Sequence, residues 1–211
     1  MARYTRRRKP TTASTAAVTT QNSSIALFGT SADPPTFGHQ ALLEGLLALF
    51  PKVVTWASDN PMKQHGACLE KRQSLLAALV RAIPNPQLEL VQELSSPWAI
   101  NTLELAAARW PGRELVFVIG SDLAGQLPRW RQANAVLSMA RLAIAPRQGW
   151  PLQSSQIEAI EALGGRIELL PLLIPASASS EVRILPKASE IPAAVWPMLL
   201  KHNLYGLATN P

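Results

Sequence analysis

From residue 24 onward, short apolar runs alternate with stretches of helical spacing. Ile25-Ala26-Leu27-Phe28 is a strand-like run, and Ala41 to Leu49 carries apolar residues at helical intervals. Val53-Val54-Thr55-Trp56-Ala57 predicts a second strand. Leu69 to Ile83 predicts a helix that Pro84 and Pro86 close. Leu88-Glu89-Leu90-Val91 is a short third strand, and Trp98 to Trp110 a helix ended by Pro111-Gly112. Leu115 to Ile119 is a continuous β-branched and aromatic run, the pattern of a strand buried on both faces. A helix from about Ala133 precedes a strand at Arg141–Ala145. Ser154 to Leu163 then reads as a helix stopped by Gly164-Gly165, and Arg166 to Leu173 as a last strand. Helices are expected around Ser180–Leu185 and Ile191–His202. Strands separated by helices form βαβ units, so the expected fold is α/β: a Rossmann-like, doubly wound parallel sheet with helices on both faces.

The 211 residues are 47% hydrophobic, enough for one domain with a substantial core. The net charge of +6 is mostly local, because Arg3, Arg6, Arg7, Arg8 and Lys9 lie in an acid-free stretch of Thr, Ser and Ala. Residues 1–23 are expected to form a disordered basic tail, 24–207 the domain, and 208–211 a C-terminal tail. The tail has no apolar core of a secretory signal; its make-up suits a solvated extension or an organelle transit peptide. The domain itself is close to neutral, which argues against a nucleic-acid partner. No apolar stretch approaches eighteen residues, so no membrane span is expected. Cys68 is the one cysteine, so no internal disulfide and no zinc cluster is expected, and a cytoplasmic location follows most simply.

Chemistry concentrates at strand-to-helix turns. The first is Gly29-Thr30-Ser31-Ala32-Asp33-Pro34-Pro35-Thr36-Phe37-Gly38-His39. In an open α/β sheet this turn is where nucleotide phosphates sit, and Gly38 and His39 fall at a helix N-terminus suited to an anion. His39 there could add a charged donor. Asp59-Asn60-Pro61-Met62-Lys63 follows the second strand, with Arg72 in the next helix. Gly120-Ser121-Asp122 follows the buried strand, with Leu127-Pro128-Arg129-Trp130 beyond it. Asp122 can cap a helix or accept from a ribose hydroxyl, and Trp130 can pack in the core or stack on a flat ring. Ser177-Ala178-Ser179-Ser180-Glu181-Val182-Arg183 enters a late helix, where hydroxyls, N–H groups and a guanidinium can hold phosphate oxygens. Ser95-Ser96-Pro97 and Asn101-Thr102-Leu103 add a weaker polar signal. His65 and His202 match no motif and read as a loop residue and a helix C-terminal cation.

Thr36-Phe37-Gly38-His39 resembles the Thr/His-x-Gly-His motif of the nucleotidyltransferase superfamily. Together with Asn60-Pro61…Lys63, Gly120-x-Asp122…Trp130 and Ser179-Ser180…Arg183, it is similar to nicotinate-nucleotide adenylyltransferases from about Ser24 to Leu207. Three departures stand out: Thr36 replaces a His, Ala178 replaces a Ser, and the Asn-Pro-Lys loop is one residue short. The resemblance implies adenylyl transfer from ATP to nicotinate mononucleotide, giving nicotinate adenine dinucleotide and pyrophosphate. It implies Gly29, Thr30, Thr36, Gly38, His39, Gly120, Asp122, Ser179, Ser180 and Arg183 as ATP contacts, with His39 and Arg183 stabilising the developing charge. It implies Lys63, Arg72, Thr102 and Trp130 as contacts of the acceptor nucleotide, and Mg²⁺ carried mainly by ATP phosphates rather than by a protein metal site. Another acceptor remains open (nicotinamide mononucleotide, phosphopantetheine, FMN or a cytidylyl acceptor), as do a non-catalytic nucleotide-binding regulator and a homo-oligomer.

Overall fold

A computed structural model of the protein describes residues 23–175 and 179–207. The expected tails, and the motif residues Ser177 and Ala178, lie outside the described residues apart from Ser23. Six strands form one all-parallel sheet: β1 (Ser24–Thr30), β2 (Val53–Ala57), β3 (Leu88–Leu90), β4 (Glu114–Gly120), β5 (Arg141–Ala145) and β6 (Ile167–Leu169). Their spatial order is β3-β2-β1-β4-β5-β6, the doubly wound arrangement the alternation of elements predicts. Ser24 to Leu27 of β1 pair with Glu114 to Phe117 of β4.

The period of two along each strand sends side chains to both faces. Ala26 and Phe28 enter one apolar core with Leu42, Leu46, Leu75 and Leu79. Ile25 and Leu27 enter a second core with Leu103, Ala106, Val136 and Ile160. The first core is covered by α1 (Phe37–Leu49) and α2 (Leu69–Ala82), the second by α3 (Ala99–Arg109), a short α4 (Ser121–Ala124), α5 (Ala133–Met139) and α6 (Ser154–Glu161). Two short helices, α7 (Ser179–Ile184) and α8 (Trp196–Lys201), return the chain to the first face, where Val182 and Leu199 are buried.

The boundaries differ from expectation where backbone chemistry intervenes. Helix α1 begins at Phe37, ahead of its apolar stripe, because Thr36 and His39 form a capping box around the first turn. Strand β6 stops at Leu169 rather than Leu173; Leu170 donates to the Ile144 carbonyl, and the next rung would need an N–H from Pro146, which has none. The expected helix from Ile191 shrinks to Trp196–Lys201, with Pro197 in its first turn where the missing N–H costs nothing. Gly164 ends the α6 region at φ +83°, in the left-handed region glycine favours.

Candidate active site

The order of strands reverses between β1 and β4, and the crevice outside their carboxyl ends is the expected ligand site of such a sheet. A cleft of about 760 Å³ opens there. Its floor is the end of β1. A methyl group added to Gly29 would come within 2.6 Å of the buried Trp56 indole, so glycine is what lets backbone and indole pass at this point.

The loop after β1 is anchored by Asp33, which is fully buried. Its carboxylate accepts hydrogen bonds from the N–H groups of Gly66 (2.7 Å) and Ala67 (3.1 Å) and from the Tyr205 hydroxyl (2.6 Å). Burial and the bond to Asp33 push the Tyr205 phenol well above its ordinary range, so it stays a donor. Arg183 donates from Nη1 to the Asp33 carbonyl (2.8 Å) and lies 3.5 Å from its carboxylate. Ser179 Oγ donates to the Pro34 carbonyl at 2.8 Å. The loop is thus joined to α7 and to the last turn of the domain.

His39 stands at the start of α1 and lines the cleft. Its Nδ1 accepts the Thr36 N–H at 3.1 Å and sits 3.0 Å from Thr36 Oγ1. A backbone N–H can only donate, so Nδ1 is unprotonated and the ring proton belongs to Nε2. Burial, then the charges of Arg147 and Lys63, lowers the His39 pKa to about 4. In the free protein it is therefore a neutral N–H donor, which corrects the charged donor expected from sequence.

Three cations line the same cleft. Arg183 arrives from α7. Lys63 arrives from the β2–α2 loop, its ammonium held below the usual lysine range by burial, with Arg147 and Arg183 acting the same way and Asp122 opposing them. Arg147 follows β5, and its Nη1 pairs with Asp122 Oδ2 at 3.2 Å. Ser121 fixes the backbone here: its Oγ accepts the Arg147 N–H at 3.0 Å and donates to the Trp150 carbonyl at 2.7 Å. Gly120 leaves room for Asp122, because an added Cβ would strike that carboxylate.

The other end of the cleft is aromatic. Trp130 meets Phe117 edge-on, with centroids 6.1 Å apart at 85°. Trp98, at the start of α3, faces the same space.

Most expected site residues converge. Gly29, Thr30, Gly38, His39 and Lys63 line the cleft, as do Gly120, Asp122 and Trp130. Ser179, Ser180 and Arg183 close it from α7. Thr102 reaches its wall, and its hydroxyl donates to the Leu94 carbonyl at 2.9 Å. Thr36 is buried beneath His39, which its hydroxyl meets, and does not line the cleft. Arg72 is the clearest correction. It is 1% exposed and spends its guanidinium on the carbonyls of Ala67 (3.1 Å), Ser31 (2.9 Å) and Ser58 (2.7 Å). It fastens two cleft loops together and does not line the cleft. Sequence reasoning missed Arg147 and the anchoring role of Asp33. Arg147 had one legible signal, a cation just past the carboxyl end of a parallel strand.

Among the described residues no cluster of three or more His, Cys, Asp or Glu could hold a metal ion, and no helix is long and apolar enough to cross a membrane.

Comparison with known proteins agrees with this geometry. The chain belongs to the cytidylyltransferase-like family, which it matches over residues 27–187. Within that family it falls among the nicotinate-nucleotide adenylyltransferases. A Synechocystis protein described as a "probable nicotinate-nucleotide adenylyltransferase" is 34% identical, over 86% of this chain and 98% of its own length. The nicotinate-nucleotide adenylyltransferase of Bacillus subtilis is 28% identical, over 62% of this chain and 72% of its own. In fold, the chain is similar to Plasmodium falciparum nicotinic acid mononucleotide adenylyltransferase complexed with NaAD. That match has a TM-score of 0.74 at 18% identity, covering 88% of this chain and 98% of that one.

Proposed function

We propose that this protein joins ATP to nicotinate mononucleotide, releasing pyrophosphate and forming nicotinate adenine dinucleotide, a step of NAD biosynthesis. The observation that carries the reading is one cleft with two chemically different ends: a neutral His39 N–H amid Lys63, Arg147 and Arg183, and an aromatic end at Trp130. The first suits a polyphosphate, the second a flat ring.

In this reading a 5′-phosphate oxygen of the acceptor attacks the α-phosphorus of ATP in line. The bond from that phosphorus to the bridging oxygen breaks, and pyrophosphate leaves with the electron pair. The acceptor phosphate is already anionic near neutral pH, its second pKa being about 6, so no side chain need remove a proton. The protein contributes position and charge. His39 Nε2 and Arg183 donate toward the phosphoryl oxygens as charge develops, and the free N–H groups of the α1 N-terminus act in the same direction. Ser179 and Ser180 bring the start of α7 to the triphosphate, while Gly120 and Asp122 border the nucleoside. Lys63 is placed for the acceptor phosphate and Trp130 for its ring. The cations fit an ATP that brings its own Mg²⁺, a metal that phosphate oxygens and water would hold. Bound so, Mg²⁺ would neutralise charge on the leaving pyrophosphate. Cytoplasmic residence completes the proposal.

An initial-rate assay with ATP, Mg²⁺ and either nicotinate or nicotinamide mononucleotide, resolved by chromatography, tests it. Dinucleotide formed chiefly from the acid is the expected result. No dinucleotide from either acceptor, with ATP still bound, would overturn it in favour of another acceptor or a nucleotide sensor.

A further inference from the structure

His65 matches no motif in the sequence, yet it lines the cleft two residues beyond Lys63 in the β2–α2 loop. Its side chain is 14% exposed and turns to the buried Asp33 carboxylate, with Nδ1 3.7 Å from Oδ2. That oxygen has two other neighbours. The Gly66 N–H donates to it at 2.7 Å, and Arg183 Nη1 lies 3.5 Å away. The second oxygen, Oδ1, accepts from the Ala67 N–H and the Tyr205 hydroxyl. Residues 65–67 therefore wrap one carboxylate with a ring and two backbone donors, while Arg183 reaches the same carboxylate from α7. A carboxylate only accepts, so the ring proton faces it from Nδ1, the opposite tautomer to that of His39. The Nε2 atom is buried and finds no hydrogen-bond partner among the described residues, so Nδ1 is the atom through which the ring acts. Burial and the Arg72 charge hold the ring below the ordinary histidine range, outweighing Asp33, Asp59 and the Asn60 backbone, so it faces Asp33 as a neutral donor.

We infer that His65 is a positioning residue for adenylyl transfer: by sharing the Asp33 carboxylate with Arg183, it sets the Lys63 loop at a fixed offset from that arginine, so that the two substrates' phosphates meet in line. This rests on the adenylyltransferase reading above. Lys63 and Arg183 belong to segments far apart in the chain, and Asp33 is the reference point common to both. The Gly66 and Ala67 N–H groups fix the far side of the loop, and the ring acts on the side nearer Lys63. A separation of 3.7 Å is longer than a made hydrogen bond, and contacts that serve a reaction commonly tighten only once substrate is in place. Loss of the ring leaves both cations and their charges, so each substrate can still be gripped. What goes is their relative placement, which acts on the barrier and not on the binding of either substrate alone.

The test measures kcat, and KM for ATP and for nicotinate mononucleotide, in wild type, His65→Ala, His65→Asn and His65→Gln, with a melting curve for each. His65→Ala is expected to lower kcat roughly 10- to 100-fold, the scale of a small misplacement of reacting groups, with both KM values little changed. Asn carries its amide N–H close to where Nδ1 stood, whereas Gln carries it nearer the place of Nε2. His65→Asn should therefore recover most of the lost turnover and His65→Gln little of it. An unchanged kcat in His65→Ala, a loss confined to KM, or equal recovery by Asn and Gln would overturn the inference while leaving the reaction intact. Should His65→Ala fail to fold, the contrast between Asn and Gln decides. Failure of the wild type to make dinucleotide from either nicotinate or nicotinamide mononucleotide would instead overturn the functional reading beneath it.

Discussion

The backbone N–H of Thr36 donates to Nδ1 of His39 over 3.1 Å, so the helix cap and the proposed catalytic donor are one interaction. The cap holds the ring where Nε2 can meet a phosphoryl oxygen. His39→Ala removes a preorganised donor from a charge-stabilising site, and turnover should fall roughly 10²- to 10³-fold. Steady-state rates with saturating ATP check this; a loss confined to KM would show that His39 only binds.

The same ring makes stability depend on pH. Its folded pKa of about 4 lies below the ordinary histidine value of 6.5. Above pH 6.5 the ring is neutral both folded and unfolded, and its contribution is fully present. As pH falls from 6.5 toward 4 the unfolded chain takes up a proton that the folded one refuses, and stability is lost, up to about 3 kcal/mol. Denaturant unfolding of wild type and His39→Asn across this range should show the wild type losing more. Parallel curves would mean that His39 does not titrate as described.

Arg147 and Asp122 form a pair at 3.2 Å in the midst of the cleft's cations. Arg147→Ala should raise KM for ATP at least about tenfold, because it removes a phosphate partner and leaves Asp122 as an uncompensated negative charge. Asp122→Asn in the same chain should recover part of that loss, and a double-mutant cycle measures the coupling. Simple additivity of the two effects would show that the pair is not coupled.

Gly120→Ala drives a Cβ into the Asp122 carboxylate, whereas Gly29→Ala drives one to within 2.6 Å of the Trp56 ring. Asp122 is half-buried and can swing, so the first change should cost activity with little loss of stability. Trp56 is buried, so the second should destabilise by about 1–3 kcal/mol. Melting curves and rates measured on the same two variants distinguish these outcomes.

Tyr205→Phe removes one of three donors to the buried Asp33 carboxylate. A loss of about 1–3 kcal/mol is expected by chemical denaturation. An unchanged midpoint would show that the remaining donors satisfy Asp33 by themselves.

Much of this site could be read in the sequence, for a physical reason. In a parallel sheet every residue just past a strand's carboxyl end faces the same edge, so finding the strands locates His39, Lys63, Asp122 and the Gly29 turn together. What the sequence hid was partnership. Nothing local distinguishes an arginine that greets a ligand from one that ties up carbonyls, and Arg72 proved the second kind because Ser31, Ser58 and Ala67 converge on it only after folding. Asp33 was visible within its loop, but its donors come from Gly66, Ala67 and Tyr205, distant along the chain. Thr102 was legible as a position on the cleft wall, but the Leu94 carbonyl that takes its hydroxyl proton was not.

Ser179 and Arg183 grip Pro34 and Asp33 across almost the whole length of the domain. The loop after the sheet's first strand is therefore completed by one of the last helices of the domain. A nascent chain can assemble the strands around β1 and still lack half of its phosphate grip. Competence to bind nucleotide thus arrives late in synthesis, so a truncated product with much of the sheet formed would sequester little ATP.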